Sequence, residues 1–183
     1  MRKTAPRPKN DQPESEWFRM LILARHAHAG DKLQWEGPDS LRPLSLAGQT
    51  EAAGLVIRLE DFPIERILTS PTLRCRQTVQ PLANDRRLRV EREWAFSVDA
   101  DLARVLALVE ARAVQDSVVC THGELIGQVL TRLVANGLAV DQPLQWPKGS
   151  SWLLDGANGQ LTRARYLPPL PLHVPSMASA QEA

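Results

Sequence analysis

Residues 18–26 read Phe-Arg-Met-Leu-Ile-Leu-Ala-Arg-His, and this stretch decides the fold. Its apolar run, which ends at Ala24, is too continuous for a strand that has one face in water. It therefore predicts a strand buried on both faces of a parallel sheet. The strand ends on Arg25 and His26, so a guanidinium and an imidazole would stand at one point. Such a pair would combine an anion-binding group with a nitrogen nucleophile.

A second arginine and a second histidine follow two further apolar runs. Arg74 opens a helical stretch after residues 67–69, and His122 follows residues 118–121. Ligands of open α/β sheets bind beyond the carboxyl ends of the strands, where all four side chains would lie. Arginine binds phosphate oxygens through bidentate, charge-assisted hydrogen bonds, and a neutral histidine can attack phosphorus. The four residues therefore predict a phosphate site with covalent histidine chemistry.

Strand and helix patterns alternate along the chain, which predicts an α/β fold with three α/β/α layers and a mainly parallel central sheet. A hairpin is expected near the end, around the turn at residues 155–159. In order, we predict a strand at 18–24, a helix from Ser45 to about Leu59, a strand at 66–69, a helix from Ser70-Pro71 to about Asn84, a short strand at 88–90, a helix at 101–113, a strand at 116–121, a helix at 124–136, and hairpin strands at 150–154 and 161–166.

The length indicates one domain, and the composition gives it almost no net charge. The 183 residues carry 22 basic and 21 acidic side chains, which gives a formal net charge of +1. This balance gives no support for nucleic-acid binding, so no nucleic-acid partner is expected. No stretch approaches the roughly 20 apolar residues of a membrane span, and no membrane partner is expected either. The sequence indicates no oligomeric state.

The two ends of the chain differ from its middle. Prolines interrupt residues 1–16, which we expect to be a mobile leader, and a proline-rich tail is expected at 168–183. The folded domain would then occupy residues 17–167. The leader holds no apolar signal-peptide core, so secretion is not expected. Cys75 and Cys120 are predicted to be buried free thiols, as in a reducing cytoplasm.

Four segments of the chain resemble, in order, the motifs of the histidine phosphatase superfamily, also called the phosphoglycerate-mutase-like family. The resemblance extends over about residues 21–154, which is most of the folded chain. The resemblance implies a phosphoglycerate-mutase-like fold and a phosphatase that works through a phosphohistidine. The segments are Leu-Ala-Arg-His-Ala at 23–27, Arg-Pro-Leu-Ser-Leu-Ala-Gly-Gln at 42–49, Leu-Thr-Ser-Pro-Thr-Leu-Arg-Cys-Arg-Gln-Thr at 68–78, and Cys-Thr-His-Gly-Glu at 120–124.

The resemblance also implies roles for single residues. His26 would be the nucleophile that accepts the phosphoryl group, Arg25 and Arg74 would bind phosphate, and His122 would complete the pocket. Arg42 looks like an arginine of the small-phosphatase branch of the family. That branch includes bacterial phosphohistidine phosphatases. It also includes a domain that follows a Nudix domain in some bacterial nucleotide hydrolases, and Lys-Gly-Ser at 148–150 is similar to that second group; a Nudix half is absent from these 183 residues.

Two departures from the family pattern concern the site. Ala27 stands where a glycine is usual, a change also seen in the small branch. Many members carry a glutamate after the third strand that protonates the leaving oxygen, but here Phe96 falls near that position. Glu93 is the nearest candidate for this acid, with Asp99 also close. Without a strong acid, substrates with good leaving groups are favoured, namely a phosphohistidine protein or a nucleotide-type phosphoanhydride.

The expected function is therefore a metal-independent phosphatase without a cofactor, since guanidinium and imidazole groups supply the positive charge. Lys32 could reach the phosphate from the long loop, although loop lysines are usually exposed. His26 and His28 also form a His-x-His pair that could bind a metal, but no third ligand cluster stands nearby. Cys120 is a weak candidate nucleophile, and Glu124 is expected to cap a helix. The alternatives are a catalytically weak phosphate-binding module and, less favoured, a phosphoglycerate-type mutase.

Overall fold

The computed structural model describes residues 19–110, 116–157 and 160–170, so the expected leader and nearly all of the expected tail lie outside the described residues. The strands are β1 (Arg19–Arg25), β2 (Arg66–Thr69), β3 (Val90–Arg92), β4 (Ser117–Thr121), β5 (Ala139–Val140), β6 (Ser151–Ala157) and β7 (Gln160–Leu167). The helices are α1 (Leu46–Arg58), α2 (Leu73–Arg86), α3 (Leu102–Glu110) and α4 (Gly123–Ala135). No helix of this described part is long and apolar enough to cross a membrane.

All seven strands form one sheet, in the order β3-β2-β4-β1-β6-β7-β5. β1 pairs in parallel with β4, β4 with β2, and β2 with β3, which makes one half of the sheet wholly parallel. β6 pairs antiparallel with both β1 and β7, so the predicted hairpin at the end of the domain is present. The predicted class, an α/β fold with a mainly parallel sheet, is confirmed.

The central strand β1 is buried on both faces, as its continuous apolar run predicts. Leu21 and Leu23 belong to an apolar cluster that also contains residues of α3 and α4. Ile22 and Ala24 point to the other face and belong to a cluster with residues of α1 and α2. Each fully buried Leu or Ile side chain stabilises such a core by roughly 1.5–3 kcal/mol. The alternation along β1 therefore produces the three predicted layers.

The observed elements begin close to the predicted positions, and the predicted helix end at residue 113 lies outside the described residues. β6 extends to Ala157, into the predicted turn at 155–159. One further difference bears on the site. Ser45 caps α1 as expected, since its Oγ accepts a hydrogen bond from the Gly48 amide at 3.1 Å. α2, however, begins at Leu73 rather than at Ser70. The Ser70 amide donates to the Cys120 carbonyl and its Oγ contacts a histidine, so this residue extends the sheet edge instead of starting a helix.

The register of the parallel strands aligns their carboxyl ends. Arg25 of β1 lies opposite Thr121 of β4, and Thr69 of β2 lies opposite Cys120. The residues that follow these strands therefore leave the sheet at the same edge. The chain continues there into the loop after β1 and into the starts of α2 and α4, which brings the predicted site residues together.

Candidate active site

A cavity of about 510 Å³ opens at this edge of the sheet. It brings together six of the seven residues predicted for the site, and Glu93 is the one that does not line it. Its walls combine basic, acidic and imidazole side chains with few apolar ones. The lining residues are Arg25, His26, His28, Gly30, Asp31, Lys32, Asp39, Arg42, Arg74, Val98, His122, Glu124 and Lys148.

His26 is held so that one ring nitrogen is free to attack. The residue is 6% exposed, and its amide donates to the Thr121 carbonyl at 3.0 Å. Its Nδ1 lies 2.8 Å from the Ala27 carbonyl oxygen, and a carbonyl only accepts hydrogen bonds. Nδ1 must therefore carry the proton, which leaves the lone pair on Nε2.

Burial lowers the pKa of His26 from 6.5 to about 4. Desolvation is the largest cause, and the nearby His122 and Arg74 act in the same direction. The Cys75 side chain and the hydrogen bond to Ala27 oppose the shift without cancelling it. The imidazole is therefore neutral near pH 7, which is the form that a nucleophile needs.

His122 stands beside His26 as the N-cap residue of α4. The two ring centroids are 5.4 Å apart with an angle of 66° between the planes. Its Nε2 lies 2.9 Å from Ser70 Oγ and 3.8 Å from Cys75 Sγ, so residues from the edge of β2 and from α2 fix the ring. A group bound at His26 would lie next to this second imidazole.

Arg25 is positioned by a carbonyl and by a glycine. Its Nη1 donates to the Trp146 carbonyl at 2.6 Å, and its Nε is buried without a hydrogen-bond partner among the described residues. The guanidinium lies over the first turn of α4, where a Cβ at Gly123 would stand 2.8 Å from both Cζ and Nε of Arg25. A side chain at position 123 would therefore require the guanidinium to shift.

Arg74 and Arg42 are joined by one carboxylate that the sequence analysis did not single out. Asp39 Oδ2 lies 3.0 Å from Arg74 Nη2, and Asp39 Oδ1 accepts from Arg42 Nε at 2.9 Å. The Asp39 carbonyl also accepts from Arg74 Nη1 at 2.7 Å. Partial burial acts to raise the pKa of Asp39, but the Arg42 hydrogen bond and the Arg74 charge hold it below its usual value.

Both of these arginines are almost fully buried, at 3% exposure for Arg74 and 8% for Arg42. Arg42 Nη1 also donates to the Ala29 carbonyl at 2.8 Å, so its guanidinium ties the loop after β1 together. Arg74 Nε is buried without a partner within the described ranges, as is that of Arg25. Three arginines outside the cavity also have a buried Nε without a hydrogen-bond partner, namely Arg58, Arg76 and Arg86. The position of Arg25 and Arg74 in the cavity is therefore what distinguishes them.

Lys32 lines the cavity but is exposed, and Lys148 is a further basic residue of the rim. His28 lies on the rim as well. Its Nδ1 is 2.8 Å from Ser45 Oγ, which anchors the ring to the start of α1. No group of three or more histidine, cysteine and acidic side chains that could hold a metal ion occurs in the part of the chain that the structure describes.

The role of Glu93 as proton donor stays a prediction, and the structure places this residue outside the cavity lining. The Glu93 carboxylate accepts from the Ala95 amide at 3.0 Å, so it caps the short 3-10 helix at Trp94–Phe96 and does not line the cavity. Alignment of the third strand alone could not show this local cap. The carboxylates that do line the cavity are Asp31, Asp39 and Glu124.

None of these three carboxylates is arranged as an acid. Asp31 is exposed and accepts from the Leu33 amide. Glu124 stands in the first turn of α4, where its own backbone amide and then the Arg25 charge lower its pKa. Asp39 is ionised by its arginine partners. Glu124 therefore interacts with its helix start as expected, and it also borders the cavity.

Cys120 is fully buried in β4, and burial raises the pKa of its thiol. A protonated thiol inside the sheet is a poor nucleophile, because the thiolate is the reactive form. Both cysteines are free and buried, as predicted. The geometry therefore leaves His26 as the side chain best placed for attack.

The chain is similar to known proteins in sequence and in fold. The family model of the histidine phosphatase superfamily (branch 1) matches residues 21–97. A curated relative, the 8-oxo-(d)GTP phosphatase of Mycolicibacterium smegmatis, is 29% identical over 154 residues. The match covers 81% of this chain and 48% of the relative, so the chain spans about half the length of that protein.

Solved structures share the fold over nearly their whole length. A protein from Agrobacterium tumefaciens that is named as a SixA phosphohistidine phosphatase is 26% identical, with a TM-score of 0.63 over 82% of this chain and 98% of that one. The protein histidine phosphatase SixA complexed with tungstate is 22% identical, with a TM-score of 0.63 over 81% and 94% of the two chains. The fold is thus phosphoglycerate-mutase-like, and residues 21–97 of this chain are similar to the histidine phosphatase superfamily.

Proposed function

We propose that this chain is a metal-independent phosphatase that transfers a phosphoryl group to His26 and then to water. The observation that carries the proposal is the state of the His26 ring. Its Nδ1 donates a hydrogen bond to the Ala27 carbonyl and the pKa of the ring is about 4, so Nε2 carries a lone pair at neutral pH. The match of residues 21–97 to the histidine phosphatase family model supports the same chemistry.

In the first step the Nε2 lone pair attacks phosphorus, and the bond from phosphorus to the leaving oxygen or nitrogen breaks. The electron pair of that bond leaves with the departing group. Arg25 and Arg74 would bind the phosphoryl oxygens, where charge develops in the transition state. His122, 5.4 Å from the His26 ring, would donate a further hydrogen bond to the transferring group.

In the second step water attacks the phosphohistidine. The new P–O bond forms, the P–N bond breaks, and the electron pair of the P–N bond returns to Nε2. The proton that water loses goes to the phosphate product or to solvent. Inorganic phosphate then leaves, and the ring is again neutral, with its proton still on Nδ1 and hydrogen-bonded to the Ala27 carbonyl.

The leaving group has to depart without a strong acid. The carboxylates that line the described cavity act as acceptors, and the pKa values of Asp39 and Glu124 are lowered. An alkoxide would need a proton to leave, but a phosphate of a phosphoanhydride or an imidazole of a phosphohistidine needs much less help. We therefore propose a phosphohistidine protein or a nucleotide-type phosphoanhydride as substrate, and we propose that the protein acts in the cytoplasm, where buried free thiols are stable.

Rapid-quench labelling with a radioactive phosphodonor such as acetyl phosphate tests the proposal. We expect a burst of protein-bound phosphate of about one equivalent, acid-labile as a P–N bond is, and lost in His26→Ala. His28→Gln is a matched control, since His28 also lines the cavity but pairs with Ser45. Tight phosphate binding with no labelling and no turnover would contradict the proposal and favour a phosphate-binding module.

A further inference from the structure

A second, mainly apolar groove leaves the catalytic cavity along α4. It has a volume of about 470 Å³ and adjoins the cavity at Glu124, which lines both spaces. At 1.5 Å per residue, the stretch from Glu124 to Ala135 is roughly 16 Å long. The groove is lined by Leu102, Glu124, Gly127, Gln128, Thr131, Arg132, Ala135 and Trp146.

The indole ring of Trp146 forms one side of this groove and lies along α4. A Cβ built at Gly127 would stand 2.7 Å from Trp146 Cζ2, and one at Gly123 would stand 2.9 Å from Trp146 Cδ1. Two glycines one turn apart therefore let the ring approach the α4 backbone along its length. The remaining surface of Trp146 borders the groove, and its carbonyl holds Arg25 in the phosphate site.

We propose that this groove binds the base of a nucleoside polyphosphate whose terminal phosphoryl group is attacked by His26. The inference rests on the proposed function, and it selects the phosphoanhydride among the two substrate classes. A base could stack on Trp146, and the Gln128 amide and Thr131 hydroxyl on the groove wall could bond its polar edge.

The order of side chains along α4 matches the order of groups in such a substrate. The phosphates would occupy the cavity with its basic residues. Glu124, at the junction, is ionised and could accept hydrogen bonds from ribose hydroxyls, as acidic residues do in dinucleotide sites. The base would then reach Trp146 and Gln128, one turn further along the helix.

Binding to His26→Ala, which prevents turnover, measures the contribution of the groove. We expect guanosine diphosphate to bind more tightly than inorganic pyrophosphate by roughly 5- to 150-fold, the range for stacking of one base on an aromatic side chain. Isothermal titration calorimetry gives both affinities. Equal affinities of the two ligands would overturn the inference.

A groove-filling variant gives a second measurement. Long helical side chains lean toward the helix N-terminus, so Thr131→Trp would cover the ring of Trp146 above Gly127. Added to His26→Ala, it should remove the preference for guanosine diphosphate and leave pyrophosphate binding unchanged. Thr162→Trp, an exposed threonine on β7, is the matched control and should keep the preference. Unchanged nucleotide binding in Thr131→Trp would contradict the inference.

The two proposals fail in different ways. If His26 is not labelled by acetyl phosphate but guanosine diphosphate still binds more tightly than pyrophosphate, the catalytic proposal is wrong and the groove assignment stands. If acetyl phosphate labels His26 but the base adds no affinity, the groove assignment is wrong. Loss of turnover of a phosphohistidine protein in Thr131→Trp, without any effect on nucleotides, would also overturn it by showing that the groove takes a polypeptide.

Discussion

The Gly123→Ala substitution would place a methyl group in the space that the Arg25 guanidinium occupies. The new Cβ would lie 2.8 Å from Arg25 Cζ and Nε, whereas ordinary contacts begin at 3.4 Å. The guanidinium would have to move by roughly 0.6 Å, the difference between these two distances. Its 2.6 Å hydrogen bond to the Trp146 carbonyl leaves little freedom for that movement.

The expected result is a loss of activity without a large loss of stability. Misplacement of a catalytic group by about 1 Å lowers rates by up to about 100-fold, so we expect kcat/KM to fall roughly 10- to 100-fold, or about 1.4–2.7 kcal/mol. Alanine is the better helix former, by up to about 1 kcal/mol in a helix interior, which at this first helical position offsets only a small part of an overpacking cost of about 1–3 kcal/mol. Steady-state kinetics with acetyl phosphate and thermal unfolding measure the two effects.

Gly127→Ala is the matched control for this experiment. The three atoms nearest to its new Cβ all belong to the Trp146 ring, and none belongs to Arg25. It should lower turnover of acetyl phosphate less than Gly123→Ala does, because the carbonyl that holds Arg25 is not displaced directly. Wild-type kcat/KM in a folded Gly123→Ala variant would refute the reasoning that Arg25 must stay where Gly123 allows it.

Three further predictions concern charge, protonation and metal dependence. Arg74→Ala should lower kcat by on the order of 100-fold or more, as removal of one transition-state donor does, while Arg58→Ala, outside the cavity, should keep full activity; a fully active Arg74→Ala variant would remove its assigned role. Because the pKa of His26 is about 4, burst labelling should persist as pH falls through 6.5 and decline only near pH 4. The free energy of unfolding should decrease over the same window, since the unfolded histidine takes up its proton first; an acid limb near pH 6.5 would contradict the buried neutral ring. EDTA should leave turnover intact, and inhibition reversed by added metal would instead support a metal at His26 and His28.

The fold could be predicted largely because β1 carries both a structural and a functional signal. Its continuous apolar run requires cover on both faces, and the polar residues that end it must then lie at the sheet edge. The same argument applies to the buried β4 and the His122 that follows it. Two-residue β5 was not predicted, since a pairing as short as Ala139–Val140 leaves no periodicity to detect.

The site was harder to predict where contacts join distant parts of the chain. Arg42 and Asp39 are three residues apart, so their ion pair could be predicted from the local sequence alone. The ion pair of Asp39 with Arg74 spans 35 positions and depends on how the loop after β1 packs on α2. For the same reason Glu93 could be aligned with an expected acid although its carboxylate caps its own turn.

Protein oxygens hold the cavity arginines in fixed orientations, and Asp39 does so without cancelling their combined positive charge. Its carbonyl and carboxylate occupy the two terminal nitrogens of Arg74, which fixes the plane of that guanidinium. The Trp146 carbonyl fixes Arg25 through Nη1 in the same manner. The Nε groups of both arginines are buried without a hydrogen-bond partner among the described residues.

The net charge of +1 for the chain conceals this arrangement, because the balance inside the cavity is different. Five basic side chains line it against three carboxylates, an excess of two positive charges, and one of the three carboxylates serves to hold arginines. A dianionic phosphoryl group would offset that excess, whereas a neutral or cationic ligand would leave it unbalanced. The preference for a dianion therefore follows from placement rather than composition. The basic residues are Arg25, Lys32, Arg42, Arg74 and Lys148, and the acidic ones are Asp31, Asp39 and Glu124.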